Sequence, residues 1–302
     1  MIIKDRQEPI ELKLFKILYT RMELTEKEKF RYLNLQKGFE GEVAFDRAAE
    51  SILEERYMIN DLLLEVNNSY FQIDSLIISQ DVIHLLDIKN YEGDCYLEGD
   101  KLYSVTTNRE YKNPIIQLKR SATLLRQLLQ TLKLNFLVEP SVIFINPEFT
   151  LYQAPMDQPI ILPTQVQHFI RSFNKTPSRL NDHQKKLAQT LLSLHKTKNP
   201  HTNLPEYYYD QLQKGIYCNS CYSYLVYRNN KSYLCKRCGE KEAVGVAILR
   251  NIKEFEILFP EGRITTESIY EWCNTDISRK TLMRILREHY TAHGNARRTY
   301  YK

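Results

Sequence analysis

Residues 71–94, FQIDSLIISQDVIHLLDIKNYEGD, contain two apolar, β-branched runs on either side of the short polar turn at 79–81. This pattern predicts a β-hairpin. Both strands carry charge where a buried strand normally has none, at Asp74 in the first and at Asp87 and Lys89 in the second. Because side chains alternate faces along a strand, Asp87 and Lys89 share one face, and Asp74 can meet them there.

These charges are costly to bury unless they are paired or bind a metal. Two carboxylates and a lysine at a strand end are the groups that magnesium-dependent cleavage of a phosphodiester needs. Carboxylate oxygens suit a hard cation, and the lysine can steady a water molecule or the developing charge. The alternative is an internal salt bridge between Lys89 and Asp87 or Asp74. The hairpin alone leaves both interpretations open.

The spacing D-x12-D-x-K at Asp74, Asp87 and Lys89 resembles the PD-(D/E)xK nuclease signature. The surrounding sequence resembles the nuclease-related domain (NERD) family, closely over residues 38–135 and more loosely over the whole chain. Three segments carry this resemblance: QID at 72–74, DIKNYEGD at 87–94 and NPIIQLKR at 113–120. The resemblance implies a restriction-endonuclease-like core that uses Mg²⁺ or Mn²⁺. Buried strands that alternate with helices also predict an α/β fold, a mixed sheet flanked by helices.

A helix is predicted from Gly38 to about residue 53, with Glu42 on its apolar, inward side. The glycines at 38 and 41 would let this helix approach closely what it covers. The alternative is that Glu42 only favours the helix start through the helix dipole. NERD proteins carry a helix glutamate in a G-x-x-G-E context, which residues 38–42 match. The resemblance therefore implies that Glu42 is a third metal-site carboxylate.

Asn113 and Pro114 predict the start of a long helix, as N-cap and first helical residue. Gln117 lies in its first turn, close to free amide groups that could help to hold a phosphate. The alternative is simple exposure to solvent. The N-P-x-x-Q segment is shared with NERD proteins, so the resemblance implies that Gln117 assists at the active site.

Two C-x-x-C pairs, separated by thirteen residues, predict a zinc ribbon. The four thiolates are those of Cys218, Cys221, Cys235 and Cys238. Four protein ligands leave no open coordination position, so this zinc is expected to be structural and not catalytic.

The C-terminal segment predicts three helices with a short turn between the last two, which resembles a helix-turn-helix, followed by a two-stranded wing. Basic residues concentrate on the last helix and the wing, as phosphate binding requires. The candidates for nucleic-acid contact are Lys280, Arg284, Arg287, Arg297 and Arg298. The alternative is an ordinary solvated basic face.

The chain has 302 residues and a net charge of +5, which permits a nucleic-acid partner without demanding one. No apolar run reaches the roughly 18 residues of a membrane span, and no signal-peptide core is evident, so we expect a cytoplasmic protein without a membrane partner. The predicted segments are an N-terminal helical extension (1–36), a nuclease-like domain (37–175), a helical connector (176–213), the zinc ribbon (214–241) and a winged-helix-like domain (242–302).

Together these features predict a metal-dependent nuclease acting on DNA. Glu42, Asp74 and Asp87 would hold Mg²⁺, Lys89 would orient or activate the attacking water, and Gln117 would assist. One alternative is a DNA-binding scaffold whose nuclease-like core no longer cuts, and another is an RNA-cleaving enzyme. The sequence leaves the oligomeric state open, a homo-oligomer included.

Overall fold

The computed structural model describes residues 1–197, 200, 204–224, 226–229, 231–295 and 298–302. The helices are α1 (Ile10–Arg21), α2 (Glu26–Ala49), α3 (Pro114–Thr131), α4 (Val166–Lys175), α5 (Asp182–Ser193), α6 (Val244–Leu258), α7 (Thr266–Cys273) and α8 (Arg279–His289). The strands are β1 (Ile2–Lys4), β2 (Tyr57–Val66), β3 (Ser69–Ile78), β4 (Val82–Lys89), β5 (Gly93–Glu98), β6 (Lys101–Ser104), β7 (Glu110–Tyr111), β8 (Leu137–Phe144), β9 (Phe149–Tyr152), β10 (Ile160–Ile161), β11 (Val226–Asn229), β12 (Ser232–Cys235), β13 (Lys241–Ala243), β14 (Ala292–His293) and β15 (Tyr300–Tyr301).

The chain divides into two compact units, and each is discontinuous in sequence. The first unit consists of Met1–Pro9 and Leu33–Thr202, and the second of Ile10–Tyr32 and Asn203–Lys302. Helix α2 begins in the second unit and ends in the first, so the predicted domain limit at residue 36 falls inside one helix.

The first unit is built on a mixed sheet with strand order β1-β2-β3-β4-β8-β10. The hairpin predicted from residues 71–94 is confirmed: β3 and β4 pair antiparallel, with Ser75 opposite Leu86. Strand β8 continues the sheet parallel to β4, and β10 pairs parallel with β8. A smaller sheet has the order β7-β6-β5-β9. Of the predicted architecture, the mixed sheet flanked by helices is therefore confirmed.

Helices cover both faces of the larger sheet. Along β4, Ile83 and Leu85 enter one buried cluster and Leu86 and Ile88 the other, as the alternation of strand side chains requires. The first cluster includes residues of α3 and α5, namely Leu118, Ala122, Leu125, Leu187 and Leu191. The second includes residues of α2 and α4, namely Phe45, Ala49, Ile170 and Phe173. The face of β4 that carries Asp87 is thus the face that α3 covers.

The N-terminal residues differ from the helical extension that the sequence predicted. Ile2–Lys4 forms an edge strand parallel to β2, so the helical prediction was wrong for these residues. A three-residue strand has too little periodicity to be recognised alone, and the partner that stabilises it lies more than fifty residues away. Helix α1 follows within the predicted helical extension, with Leu12, Phe15 and Leu18 buried.

The second unit contains a three-stranded antiparallel ribbon (β11-β12-β13), helices α6 to α8 and the short hairpin β14–β15. Its core surrounds Trp272, which is fully buried. Arg21 of α1 enters this core, where it donates hydrogen bonds of 2.7 Å to Glu254 and 2.6 Å to Asn251. Its guanidinium also lies over the Trp272 ring, 4.0 Å from the centroid. A buried charge is tolerated here because it is paired and hydrogen-bonded.

Candidate functional site

Asp74, Asp87 and Lys89 come together where β3 and β4 pair. The Lys89 ammonium lies 2.7 Å from Oδ1 of Asp87, and Oδ2 of Asp74 accepts a 2.8 Å hydrogen bond from the backbone N–H of Ile88. Antiparallel pairing opposes Ser75 to Leu86, so the residues next to them, Asp74 and Asp87, are neighbours across the two strands. The structure therefore brings these three predicted residues into one cluster.

The second oxygen of Asp87 is the unusual atom of this cluster. Asp87 is only 6% exposed, and among the described residues its Oδ2 has no hydrogen-bond partner. Burial raises the pKa of Asp87 to about 7, with Lys89 opposing the shift and Asp74 adding to it. Burial disfavours the charge of Lys89, yet Asp87 and Asp74 together raise its pKa above the ordinary value. A buried carboxylate oxygen without a partner costs free energy that a bound cation would offset.

Glu42 lies on α2, and an arginine holds its side chain. Arg6 donates a 2.6 Å hydrogen bond from Nη1 to Oε2 of Glu42 and a 2.8 Å bond from Nε to Asp46. Burial raises the pKa of Glu42 to about 8, with the charge of Asp74 adding to the shift and Arg6 opposing it. Glu42 on α2 is therefore near enough to Asp74 on β3 for their negative charges to repel each other.

The predicted three-carboxylate metal set stays a prediction. Within the described ranges, the four zinc-ribbon cysteines are the one group of three or more Cys, His, Asp or Glu residues with ligand atoms all within 4.8 Å of one another. The oxygens of Glu42, Asp74 and Asp87 therefore do not all lie within 4.8 Å of one another, as they would in a site where all three bound one ion directly. Mg²⁺ does not require such a site, since it is usually held by one or two carboxylates plus water and substrate phosphates. The Asp74–Asp87 pair, with its unpartnered oxygen, fits that donor set.

Helix α2 is seated directly on the end of β4 through Gly41. A Cβ atom at Gly41 would lie 2.5 Å from Cβ of Asn90, the residue after Lys89, whereas a Cβ at Gly38 would meet nothing within 4 Å. Asn90 also donates a 2.7 Å hydrogen bond to the carbonyl of Lys37. The close approach expected from the two glycines is therefore confirmed for Gly41 and not for Gly38.

Replacing Gly41 with alanine is expected to destabilise the first unit by about 1–3 kcal/mol, because the added methyl must displace Asn90 or the helix. The matched variant Gly38→Ala lies in the same helix with open space around it, and there alanine should stabilise by up to about 1 kcal/mol. Urea unfolding of both variants measures the two effects. Equal stability of the two variants would contradict the close seating of α2 on β4.

Gln117 is exposed and lies in a groove of roughly 600 Å³ along the first turns of α3. Asn113 caps the helix as predicted, by accepting a 2.9 Å hydrogen bond from the N–H of Ile115. The groove is also lined by Arg120 and Tyr111, and the Tyr111 ring lies 5.7 Å from that of Tyr91, two residues beyond Lys89. Asp74, Asp87 and Lys89 do not line this groove, and the assisting role of Gln117 stays a prediction.

The four cysteines of the predicted zinc ribbon do gather. The Sγ atoms of Cys218 and Cys238 lie 3.5 Å apart, and those of Cys221 and Cys235 lie 3.6 Å apart. Zinc–sulfur bonds of about 2.3 Å in a tetrahedron place sulfur atoms a little under 4 Å apart, so the cluster fits a zinc ion closely. The strands β11 to β13 form the ribbon behind it. The four residues could therefore bind zinc, as the sequence predicted.

The predicted basic surface follows helix α8. Ser278 caps this helix, and Lys280, Arg284 and Arg287 are exposed along it. Arg284 lies 4.0 Å from Glu288, a weak surface contact. Strands β14 and β15 pair in the segment that was predicted as a wing, and Arg298 beside them is exposed, whereas Arg297 lies outside the described residues. Nucleic-acid contact by these residues stays a prediction.

Sequence reasoning missed Arg6, which lies among charged residues near the N-terminus without any recognisable motif. Its importance comes only from contacts with residues 36 to 69 positions away, at Glu42, Asp46, Asp74 and Ser75. The one available signal was indirect: an acidic residue on an inward helix face needs a cationic partner or a metal.

Comparison with known proteins supports the interpretation of this part of the chain. Residues 37–145 match the family described as the nuclease-related domain, NERD. The match includes Glu42, Asp74, Asp87, Lys89 and Gln117 and ends before the cysteine cluster. No curated protein and no solved structure matches the chain. Across the described residues, none of the helices has the length and apolar character to cross a membrane.

Proposed function

We propose that this chain, which carries a nuclease-related domain at residues 37–145, is a divalent-metal-dependent nuclease that hydrolyses phosphodiester bonds of DNA. One observation carries the proposal: a buried Asp87 whose Oδ2 is unpartnered among the described residues, with Asp74 beside it and Lys89 on the other oxygen. Most buried polar atoms have a hydrogen-bond partner, and a cation would supply one for this oxygen.

Asp74 and Asp87 are the residues that would hold the metal, with Glu42 as the third carboxylate. When bound, Mg²⁺ or Mn²⁺ supplies Lewis-acid polarisation of the phosphoryl oxygen and a water molecule with a lowered pKa. Asp74 is already oriented by the Ile88 amide, which bonds one of its two carboxylate oxygens. Because its orientation is already fixed, Asp74 loses less conformational entropy when a metal ion binds.

Lys89 is proposed to orient the attacking water and to stabilise negative charge on the phosphate. Its ammonium is fixed by Asp87 and largely excluded from solvent, where an electrostatic interaction is stronger than in bulk water. Gln117, in the groove beside Tyr111, is proposed to donate its amide to a substrate phosphate near the α3 N-terminus.

DNA binding is assigned in this proposal to α8 and the β14–β15 hairpin. Lys280, Arg284, Arg287 and Arg298 are exposed, which leaves their charges available to phosphates. The zinc ribbon is proposed to be structural, because four cysteine ligands leave no position for substrate.

The alternative of a DNA-binding protein without cleavage is favoured by one specific observation. Arg6 already pairs with Glu42, so one of the three predicted metal carboxylates has a cationic partner from the chain itself. Such a protein would bind DNA in a salt-dependent way and leave it intact.

Metal dependence of cleavage separates these functions. The chain is stripped of divalent ions with EDTA, which is then removed, and it is reloaded with one equivalent of Zn²⁺ to keep the cysteine site filled. It is then incubated with supercoiled plasmid, linear duplex, single-stranded DNA or RNA in Mg²⁺, Mn²⁺ or Ca²⁺. We expect DNA cleavage in Mg²⁺ and Mn²⁺, little in Ca²⁺, whose longer and more flexible coordination suits this chemistry poorly, and none without metal. Salt-sensitive DNA binding with no cleavage in Mg²⁺ or Mn²⁺ would support the DNA-binding scaffold. Cleavage restricted to RNA would show that the substrate is RNA and not DNA.

A further inference from the structure

Arg6 joins α2 and β3, two of the three elements that carry the candidate metal carboxylates. From the segment between β1 and α1, its guanidinium reaches Glu42 and Asp46 on α2 and the backbone carbonyl of Asp74 on β3, the last at 2.9 Å. A further 2.8 Å bond runs from Nη2 to the hydroxyl of Ser75. The side chain is 3% exposed. Arginine suits this position because its rigid, planar group donates several hydrogen bonds in fixed directions.

The charges around Arg6 explain what its removal would do. Glu42 and Asp46 lie four residues apart on α2 and hence on one face, where like charges repel. Asp74 adds a third carboxylate. Arg6 is a cation that contacts both Glu42 and Asp46 at hydrogen-bond distance. Without it, mutual repulsion would drive Glu42 away from Asp74, into other rotamers.

The pattern of bonds favours a supporting role for Arg6 over competition with a metal. Arg6 takes Oε2 of Glu42 and leaves Oε1 to other partners, and at Asp74 it uses the backbone carbonyl and not the carboxylate. A residue that replaced the metal would instead contact the carboxylate oxygens of Asp74 or Asp87. Hydrogen bonds from a neighbouring residue to a metal ligand commonly fix the orientation of that ligand.

We propose that Arg6 is a positioning residue that holds Glu42 beside Asp74 and thereby sets the affinity of the site for a divalent cation. This inference rests on the proposed function, since it requires that Asp74 and Asp87 bind a metal. Residue 6 lies outside residues 37–145, the range that matches the nuclease-related domain. The proposal therefore gives a residue of the N-terminal segment a role in the metal site of that domain.

Mn²⁺ binding to the full chain tests the proposal without relying on cleavage. Binding is measured by titration calorimetry and by the electron paramagnetic resonance signal of free Mn²⁺, on zinc-loaded protein, for wild type, Arg6→Met and Arg6→Gln. We expect Mn²⁺ affinity to fall by about 10- to 100-fold in both variants, the usual effect of losing an orienting contact behind a metal ligand. Should the methionine variant fail to fold, the glutamine variant, which keeps a polar group in the buried position, decides the outcome.

Arg56→Met is the matched control. Arg56 is another buried arginine of the first unit, and it hydrogen-bonds Ser79 and the Thr176 carbonyl, away from the carboxylates. We expect this variant to lose stability and to keep wild-type Mn²⁺ affinity. Wild-type or tighter Mn²⁺ binding in a folded Arg6 variant, or an equal loss in Arg56→Met, would overturn the role of Arg6. Absence of Mn²⁺ binding in the wild-type chain would instead reject the metal site itself, and with it the proposed function.

Discussion

Asp87→Asn is expected to remove metal-dependent DNA cleavage, by at least about 10²- to 10³-fold, the loss typical for one electrostatic stabiliser of a transition state. The substitution keeps the size of the side chain and removes the charge that faces both Lys89 and the proposed cation. Mn²⁺ affinity should fall in parallel, because a neutral amide is a poorer ligand for a hard cation than a carboxylate. Initial rates of plasmid cleavage, together with Mn²⁺ titration, measure both effects.

Two further variants sharpen the interpretation of Asp87→Asn. Asp81→Asn removes the same charge from the same hairpin, at the exposed turn before β4, and should leave cleavage unchanged. Lys89→Met should lose cleavage while it retains Mn²⁺ binding, because the role proposed for Lys89 is toward the water and the phosphate and not toward the ion. Cleavage that persists in both Asp87→Asn and Lys89→Met would remove the active-site assignment.

Loss of zinc is expected to unfold the ribbon of the second unit. Zinc binding contributes about 10–16 kcal/mol to small structural sites of this kind, which far exceeds what three short strands can supply. We expect one zinc ion per chain by elemental analysis, and Cys221→Ser to lose most of it. Limited proteolysis should then cut between residues 214 and 243, where the native ribbon resists cleavage.

Cys95→Ser provides the control for this cysteine replacement. Cys95 is buried in β5, in the first unit and apart from the four-cysteine cluster. Its replacement should leave zinc content and the proteolysis pattern of the ribbon unchanged. Full zinc occupancy in Cys221→Ser, or a zinc-free wild type with a protease-resistant ribbon, would contradict the structural role of the metal.

Local patterns were sufficient where neighbouring residues decide the structure. The alternation in residues 71–94 predicted the β3–β4 hairpin, and the charges at Asp74, Asp87 and Lys89 were brought together because strand geometry fixes their faces. The Asn113 cap and the cysteine spacing succeeded because their partners are near in sequence. The cap bonds a residue two positions ahead, and the first and last cysteines are 20 positions apart.

Long-range contacts set the limits of sequence reasoning. Arg6 and β1 gain their partners from residues far along the chain, which a pattern near the N-terminus cannot reveal. Gln117 was placed correctly in the first turn of α3, but the distance between that turn and the carboxylates depends on how α3 packs on the sheet. The geometry of Glu42 relative to the aspartates likewise depends on how α2 packs on the sheet, on the face opposite to α3.

The pairing of Arg21 with Glu254 has a consequence for how the protein is made. The two residues are separated by 233 positions, so the arginine emerges from the ribosome long before its partner exists. At synthesis rates of about 5–20 residues per second, the delay is roughly 10 to 50 s. During that interval α1 lacks the partner of Arg21, while residues 33–202 can already fold around their own sheet. The core of the second unit can therefore form only after Glu254 has been synthesised. A fragment that begins at residue 203 would lack α1, which contributes Arg21 to that core.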